Sequence, residues 1–354
     1  MVIGSNQRKG RRWAGQLCSF ALTVLFAGCG AADGEGEAGM PESDPEAWEG
    51  DIEAATRVLR PREGTERDWE ILRSTVTEAW GQGHDTLPIG ETMVRIAESF
   101  VGWPYEPGTL ELAGEEDVVI NLEEFDCVTL VENVFALARF IKTQGPSVLD
   151  SEIQTRAAYT GAIRELRYRR GRVDGYPSRL HYFSDWIRDN EAKGLVRELT
   201  KELEGELDPR AIDYMTSHPE SYRQLANPGF FAAVQETEWE LSGMDRYKLS
   251  EGNIQTSISW IQNGDIIAAT SIVEGLDVAH TGIAYWQDGQ LHLLHAPLVG
   301  EEVEISRLPL AERILRLSGQ DGIRVVRPLE PAAGVGSPRA PQGTPAGDGR
   351  SPRT

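Results

Sequence analysis

The stretch His280-Thr-Gly-Ile-Ala-Tyr-Trp-Gln-Asp-Gly-Gln-Leu-His-Leu-Leu-His295 decides how this chain folds. Asp288-Gly289 is a two-residue turn signal, because the turn that joins two twisted strands needs positive φ at both central positions. With that turn, Gln287 faces Gln290 and pairing runs outward from there. His295 then lies opposite Gly282. His280 is two residues along from Gly282 on the same strand, so it points to the same face. The two histidines are diagonal neighbours, about 7–8 Å apart at the backbone and within reach through their side chains. His292 pairs with Tyr285 and points to the other face. A slip of one residue would exchange the faces, so the turn carries the whole assignment.

Outward from this hairpin, further strands are expected at Ile266–Val273, Val303–Ser306 and Ile323–Arg327. Before residue 260 the pattern is helical. Met93, Ile96, Ala97 and Phe100 keep register over Glu91–Phe100, and Gly102-Trp-Pro-Tyr105 stops that helix. Ser151–Tyr168 reads as a helix and Ser184–Asn190 as the start of a short one. Residues 50–82 carry Ile52, Ala55, Val58, Trp69, Leu72, Val76 and Trp80 at helical spacing. A short strand is expected at Asp117–Ile120. Gly171 to Phe183 is turn-rich and aromatic, and 195–250 has no single period. Helices first and an antiparallel sheet afterwards predict an α+β fold, with the helices on one face of the sheet.

One segment in the helical half carries chemistry: Glu124-Phe-Asp-Cys-Val-Thr-Leu-Val-Glu-Asn133. Asp126 is a good N-cap, and Val128, Val131, Phe135 and Ala138 give the helix that follows one apolar face. Cys127 takes its first position, where unpaired N–H groups and the helix dipole favour thiolate. A small buried hydrophobe is the competing account of a lone cysteine. Cys127 with His280 as base and His295 as its orienting partner would make a nucleophile, base and orienter. Gly282 leaves room above the sheet between the histidines. They could also simply bond each other or water. Zinc on His181, His280, His295 and Asp277 is the chemical alternative. His292 and His295 point to opposite faces, and no Cys pair or His-Glu-x-x-His helix is present. No metal or other cofactor is therefore expected.

The ends read differently. Residues 1–28 hold Arg8, Lys9, Arg11 and Arg12, no acidic residue, and an apolar run from Phe20 to Phe26. That is an export signal, too short for a permanent span. Phe26-Ala-Gly-Cys29 resembles the site at which bacterial lipoproteins are cut and lipidated, which would make Cys29 the anchor. Residue 30 is Gly, a pattern that fits the outer membrane in a Gram-negative cell. Residues 29–49 read as a flexible acidic tether, 50–89 as a helical extension, 90–328 as the catalytic unit and 329–354 as a disordered tail. The chain carries a formal charge of −21, and losing the leader's four positive charges gives −25. Such a surface argues against a nucleic-acid partner. Cys127 has no second thiol to pair with once Cys18 leaves and Cys29 is lipidated. The chain is expected to act as a monomer.

Four segments together resemble one family. They are Phe100-Val-Gly-Trp-Pro-Tyr-Glu-Pro-Gly-Thr-Leu-Glu111, Phe125-Asp-Cys-Val-Thr-Leu-Val-Glu132, Ser178-Arg-Leu-His-Tyr-Phe-Ser-Asp-Trp186, and Asp277-Val-Ala-His-Thr-Gly-Ile-Ala284 followed by Leu294-His-Ala296. They resemble the N-acetylmuramoyl-L-alanine amidase-like family, a branch of the NlpC-type cell-wall cysteine peptidases with a papain-like core. The resemblance spans about residues 90 to 328. It implies Cys127 as nucleophile, His280 as base, His295 as third member and Tyr105 as a hydroxyl beside the oxyanion. It implies a muropeptide or other peptidoglycan fragment as substrate. Arg179, His181, Tyr182, Asp185 and Trp186 would recognise it, as an aromatic platform with directional polar groups. A structural ion pair accounts equally well for Arg179 and Asp185. Asp277 could pin the strand start or orient the base. Cleavage inside the stem peptide after γ-D-glutamate, a non-catalytic muropeptide-binding lipoprotein and an acyltransferase remain the other readings.

Overall fold

The computed structural model describes residues 61–298 and 302–332. The expected leader, Cys29, the tether and residues 50–60 of the helical extension lie outside the described residues, as does the tail beyond 332. The helical half holds α1 (Glu66–Gly81), α2 (Ile89–Ser99), α3 (Cys127–Thr143), α4 (Glu152–Arg167) and α5 (Phe183–Ala192). Thr65 and Asp68 form a capping box that starts α1, Asp126 and Thr129 form one for α3, and Ser151 caps α4. Residues 195–260 supply β1 (Val196–Glu198), β2 (Glu206–Leu207), β3 (Tyr247–Ser250), the long helix α7 (Pro228–Ser242), and the single turns α6 (Tyr214–Ser217) and α8 (Ile254–Ser257).

The sheet is completed by β4 (Ile266–Ser271), β5 (Val278–Gln287), β6 (Gln290–His295), β7 (Glu304–Ile305) and β8 (Gln320–Pro328), with α9 (Leu310–Arg316) between the last two. All pairings between these strands are antiparallel, in the order β2-β3-β8-β4-β5-β6-β7, and β1 also pairs with β8. The hairpin register is the expected one: Gln287 faces Gln290, Tyr285 faces His292 and Ile283 faces Leu294. Asp288 and Gly289 take φ of 50° and 76°, as the turn demands.

Three expectations need correction. Both faces of the sheet are buried. Ile266, Ala268, Ile283 and Leu294 face the core made with α1 to α4, while Ile267, Ala269, Ala284 and Leu293 face a second core with Leu310 and Ile314 of α9. A short helix and loops cover that second face, so it left no long helical period in the sequence. Asp117–Ile120 forms no strand. Its backbone is held instead by Arg62 O, which accepts from Ile120 N at 2.8 Å, and by Arg167 Nη1, which donates to Val119 O at 2.7 Å. Helix α3 is buried almost all round, not on one face, because α1, α2, α4 and the sheet enclose it.

At the C-terminal boundary, residues 329–330 are fixed. Leu329 N donates to Leu195 O, and the Glu330 carboxylate accepts from Ile89 N and pairs with Lys142. The segment from 208 to 245 makes a third, small core of Tyr176, Tyr182, Ile212, Met215, Leu225, Val234 and Leu241. It stands beside the N-terminus of α3 as one wall of a cleft.

Candidate active site

Cys127 begins α3 because Asp126 accepts from the N–H groups of Val128 and Thr129, at 3.0 and 2.7 Å. That leaves the Cys127 N–H facing its own sulfur. Strand β5 is tied to this helix start by Thr281, whose hydroxyl donates to Cys127 O at 2.7 Å. His280, the preceding residue, is therefore carried to the same place. Cys127, His280, Tyr105 and Asp277 all line one open cleft of about 240 Å³. His280 Nε2 lies 2.8 Å from His295 Nδ1, with the two rings edge to face. The diagonal pair read from the hairpin is thus in hydrogen-bond contact.

Electrostatics differ from the helix-terminus expectation. Burial, and then the neighbouring Asp126 carboxylate, push the Cys127 thiol up to about 11. Burial, and then the Arg313 cation, push His280 down to about 3. Desolvation outweighs the helix dipole here, so thiol and imidazole rest neutral. Tyr105 is raised by burial and by its closeness to Cys127, so its hydroxyl keeps its proton and remains a donor.

The family model described as N-acetylmuramoyl-L-alanine amidase-like matches residues 95–319. The chain belongs to that family. A crystal structure of an N-acetylmuramoyl-L-alanine amidase from Bacteroides uniformis is 37% identical, covering 68% of this chain and 99% of its own, with a TM-score of 0.63. A putative xylanase from Bacteroides fragilis is also 37% identical over 65% of this chain and 98% of its own, at TM-score 0.60. A Legionella pneumophila protein is 18% identical at TM-score 0.53, covering 75% of this chain and 97% of its own, and shares the fold. No curated protein matches.

In this amidase-like chain the residues singled out for recognition divide. His181 lines the cleft, with Nε2 donating to Tyr176 O at 2.8 Å, so its Nδ1 is an acceptor. Burial holds that imidazole neutral. Arg179 also lines the cleft but is buried between Glu111 and Glu116, at 2.6 and 3.1 Å, and clamps two loops together. Tyr182 borders the cleft, yet its hydroxyl donates to Glu238 at 2.6 Å and accepts from Met215 N at 2.8 Å, so it anchors the 208–245 wall.

Asp185 and Trp186 are not brought to the cleft. Asp185 is buried against Arg169 and Arg188, and Trp186 is buried in a stack on Phe183, 4.9 Å between centroids. The helical face of α5 turns them into the core. Asp277 accepts from Ser184 N at 2.7 Å and pins the start of α5. His181 bonds Tyr176 and Asp277 holds α5, and among the described residues no three His, Cys, Asp or Glu side chains are grouped so as to hold a metal ion. The space above Gly282 is also filled, by Leu293.

Sequence reading missed Tyr214 and Tyr222, which line the cleft from the 208–245 wall. They are the aromatic surface that Trp186 was expected to provide. His218 stacks on Tyr214 at 4.3 Å and fixes its ring. Their clustering among aromatics at 214–231 was the available signal. Thr281 was missed as well, although its place next to His280 on the opposite face of β5 was fixed by the register.

Proposed function

We propose that this protein is a cysteine-dependent N-acetylmuramoyl-L-alanine amidase that hydrolyses the lactyl–L-alanine amide of muropeptides. One observation carries the reading: the Cys127 thiol at the start of α3 shares a cleft with an imidazole that is itself hydrogen-bonded to a second imidazole at 2.8 Å. The core, a nucleophile helix packed on an antiparallel sheet with the base on a central strand, is of the papain-like, NlpC-type kind. Because His280 Nε2 is taken up by His295, His280 Nδ1 is the atom left for Cys127. It takes the thiol proton as Sγ attacks the lactyl carbonyl, since a neutral resting pair needs proton transfer with attack. The Cys127 N–H and the Tyr105 hydroxyl stabilise the oxyanion. His280 then gives its proton to the alanine nitrogen and the stem peptide departs. Water, deprotonated by His280, releases the sugar acid from the thioester.

Glycoside cleavage would need free carboxylates on the cleft. Instead Glu132 is paired with Arg167 at 2.6 Å, Glu111 with Arg179, Asp126 caps α3 and Asp277 holds α5. We place the mature chain on a membrane through Cys29, facing the periplasm where muropeptides arise. The deciding experiment is mass spectrometry of a disaccharide–tetrapeptide, with normal or anhydro sugar, incubated with the protein and with Cys127→Ala. Free disaccharide and a tetrapeptide beginning at L-alanine, absent with the variant, is the expected result. Cleavage after γ-D-glutamate would move the enzyme to the endopeptidase class.

A further inference from the structure

The His280–His295 contact is one hydrogen bond that can be made in two ways, and the two have opposite consequences. If His280 Nε2 donates to His295 Nδ1, the neutral His280 has a bare Nδ1 and can take the thiol proton. If His295 Nδ1 donates, the His280 proton must sit on Nδ1 and the base is blocked. The first arrangement puts the His295 proton on Nε2. That atom is buried and has no hydrogen-bond partner among the described residues. Directly opposite His295 on β7 is Glu304, and its Oε1 lies 3.7 Å from that Nε2.

We propose that Glu304 is a positioning residue: its carboxylate accepts the His295 Nε2–H and so holds both imidazoles in the tautomers that leave His280 Nδ1 free. The inference rests on the cysteine-amidase reading for its purpose, though not for its geometry. A carboxylate facing a ring N–H makes a charge-assisted bond, and this selects the ring's tautomer. The remaining gap is under 1 Å beyond a normal N–H···O length, and the Glu304 side chain is 36% exposed, so a small rotation closes it. In the blocked arrangement His295 would present a bare Nε2 lone pair to that carboxylate, which repels it.

Arg313 of α9 completes the surroundings. Its cation acts on His280 and His295, disfavouring imidazolium, and it in turn feels Glu304 and Cys127. Arg313 also donates to Gln320 Oε1 at 3.3 Å, which holds it on α9's side of the pair. Glu304 thus faces the imidazole Nε2 and also acts on the Arg313 cation. Because the imidazole lies across the ladder from it, tautomer control falls to Glu304, while Arg313 sets the charge.

The test uses the protein labelled with ¹⁵N-histidine, as wild type, Glu304→Ala and Glu304→Gln. Nitrogen shifts and one-bond couplings report which ring nitrogen carries the proton, with or without substrate. Wild type is expected to show His295 protonated on Nε2, and Glu304→Ala a mixture with the Nδ1–H form. kcat on the muropeptide falls about 10–100-fold in Glu304→Ala with KM unchanged, the cost of removing a group that orients a metal-bound imidazole being the guide. Glu304→Gln, whose amide oxygen can accept in the same place, recovers most of the tautomer and most of kcat. A His295 tautomer unchanged in Glu304→Ala overturns the proposal, and so does Glu304→Gln behaving as Ala does. Since the nitrogen readout needs no turnover, a wild-type protein that cleaves no lactyl amide would sink the amidase reading separately.

Discussion

Gly282→Ala tests whether the hairpin packing sets the histidine pair. An added Cβ would lie 2.8 Å from Leu293 Cγ and Cδ1 and 2.9 Å from Leu294 O. Carbon contacts rest at about 3.5–4.0 Å, so the overlap is roughly 0.7–1.2 Å. Leu293 is buried and cannot swing out, and Leu294 O belongs to the strand backbone beside the Ile283–Leu294 pair. Overpacking of this kind costs about 1–3 kcal/mol. At about 2–4 °C per kcal/mol for a domain this size, Tm should fall by roughly 2–12 °C. Because Gly282 lies between His280 and His295, the backbone shift lengthens their 2.8 Å bond and kcat falls with Tm. Scanning calorimetry and the amidase assay read both. Leu293→Ala alone should cost about 2–5 kcal/mol. Combined with Gly282→Ala, it removes the side-chain half of the clash, so the double variant should be at least about 1 kcal/mol better than additive. Wild-type Tm and rate in Gly282→Ala, or strict additivity, would refute the reasoning.

Three further outcomes are expected. Tyr105→Phe should lower kcat about 10²-fold through loss of an oxyanion donor while Tm stays close to wild type; an unchanged kcat removes Tyr105 from the chemistry. Alkylation of Cys127 by iodoacetamide should be slow at neutral pH and climb toward about 11, since burial and Asp126 raise the thiol. Asp126→Asn keeps the cap but removes the charge, so the profile should move to lower pH, and a shift upward contradicts the electrostatics. The third outcome concerns acid stability. Folded His280 is held down near 3 while the unfolded imidazole takes its proton near 6.5. The unfolded state therefore binds more protons in that window, and stability is full above about 6.5 and lost as pH falls toward 3. His280→Gln should flatten that part of a urea-denaturation pH series, and an equally steep acid loss would show that other groups cause it.

Much of the site was legible because it is local. Asp126 and the apolar residues after it set the start of α3 within one helical turn. The Asp288-Gly289 turn set a register in which only whole-residue slips are possible, so the faces of His280, His292 and His295 followed. The recognition residues were less legible. Trp186 and Asp185 sit in a segment with polar and aromatic residues on several faces, and only packing against the sheet turned them inward. Arg179 looked like a ligand-binding guanidinium, yet Glu111 and Glu116, more than sixty residues away in sequence, were already placed to hold it.

By itself the sequence determined the α+β order, the start of α3 at Cys127 and the pairing of His280 with His295, because caps, turns and period-two alternation act between near neighbours. Tertiary structure alone decided the second buried face of the sheet, the aromatic wall of Tyr214 and Tyr222, and the neutral state of Cys127 and His280. Each of those depends on what distant segments exclude from water, and desolvation is a property of the assembled fold that no run of residues contains.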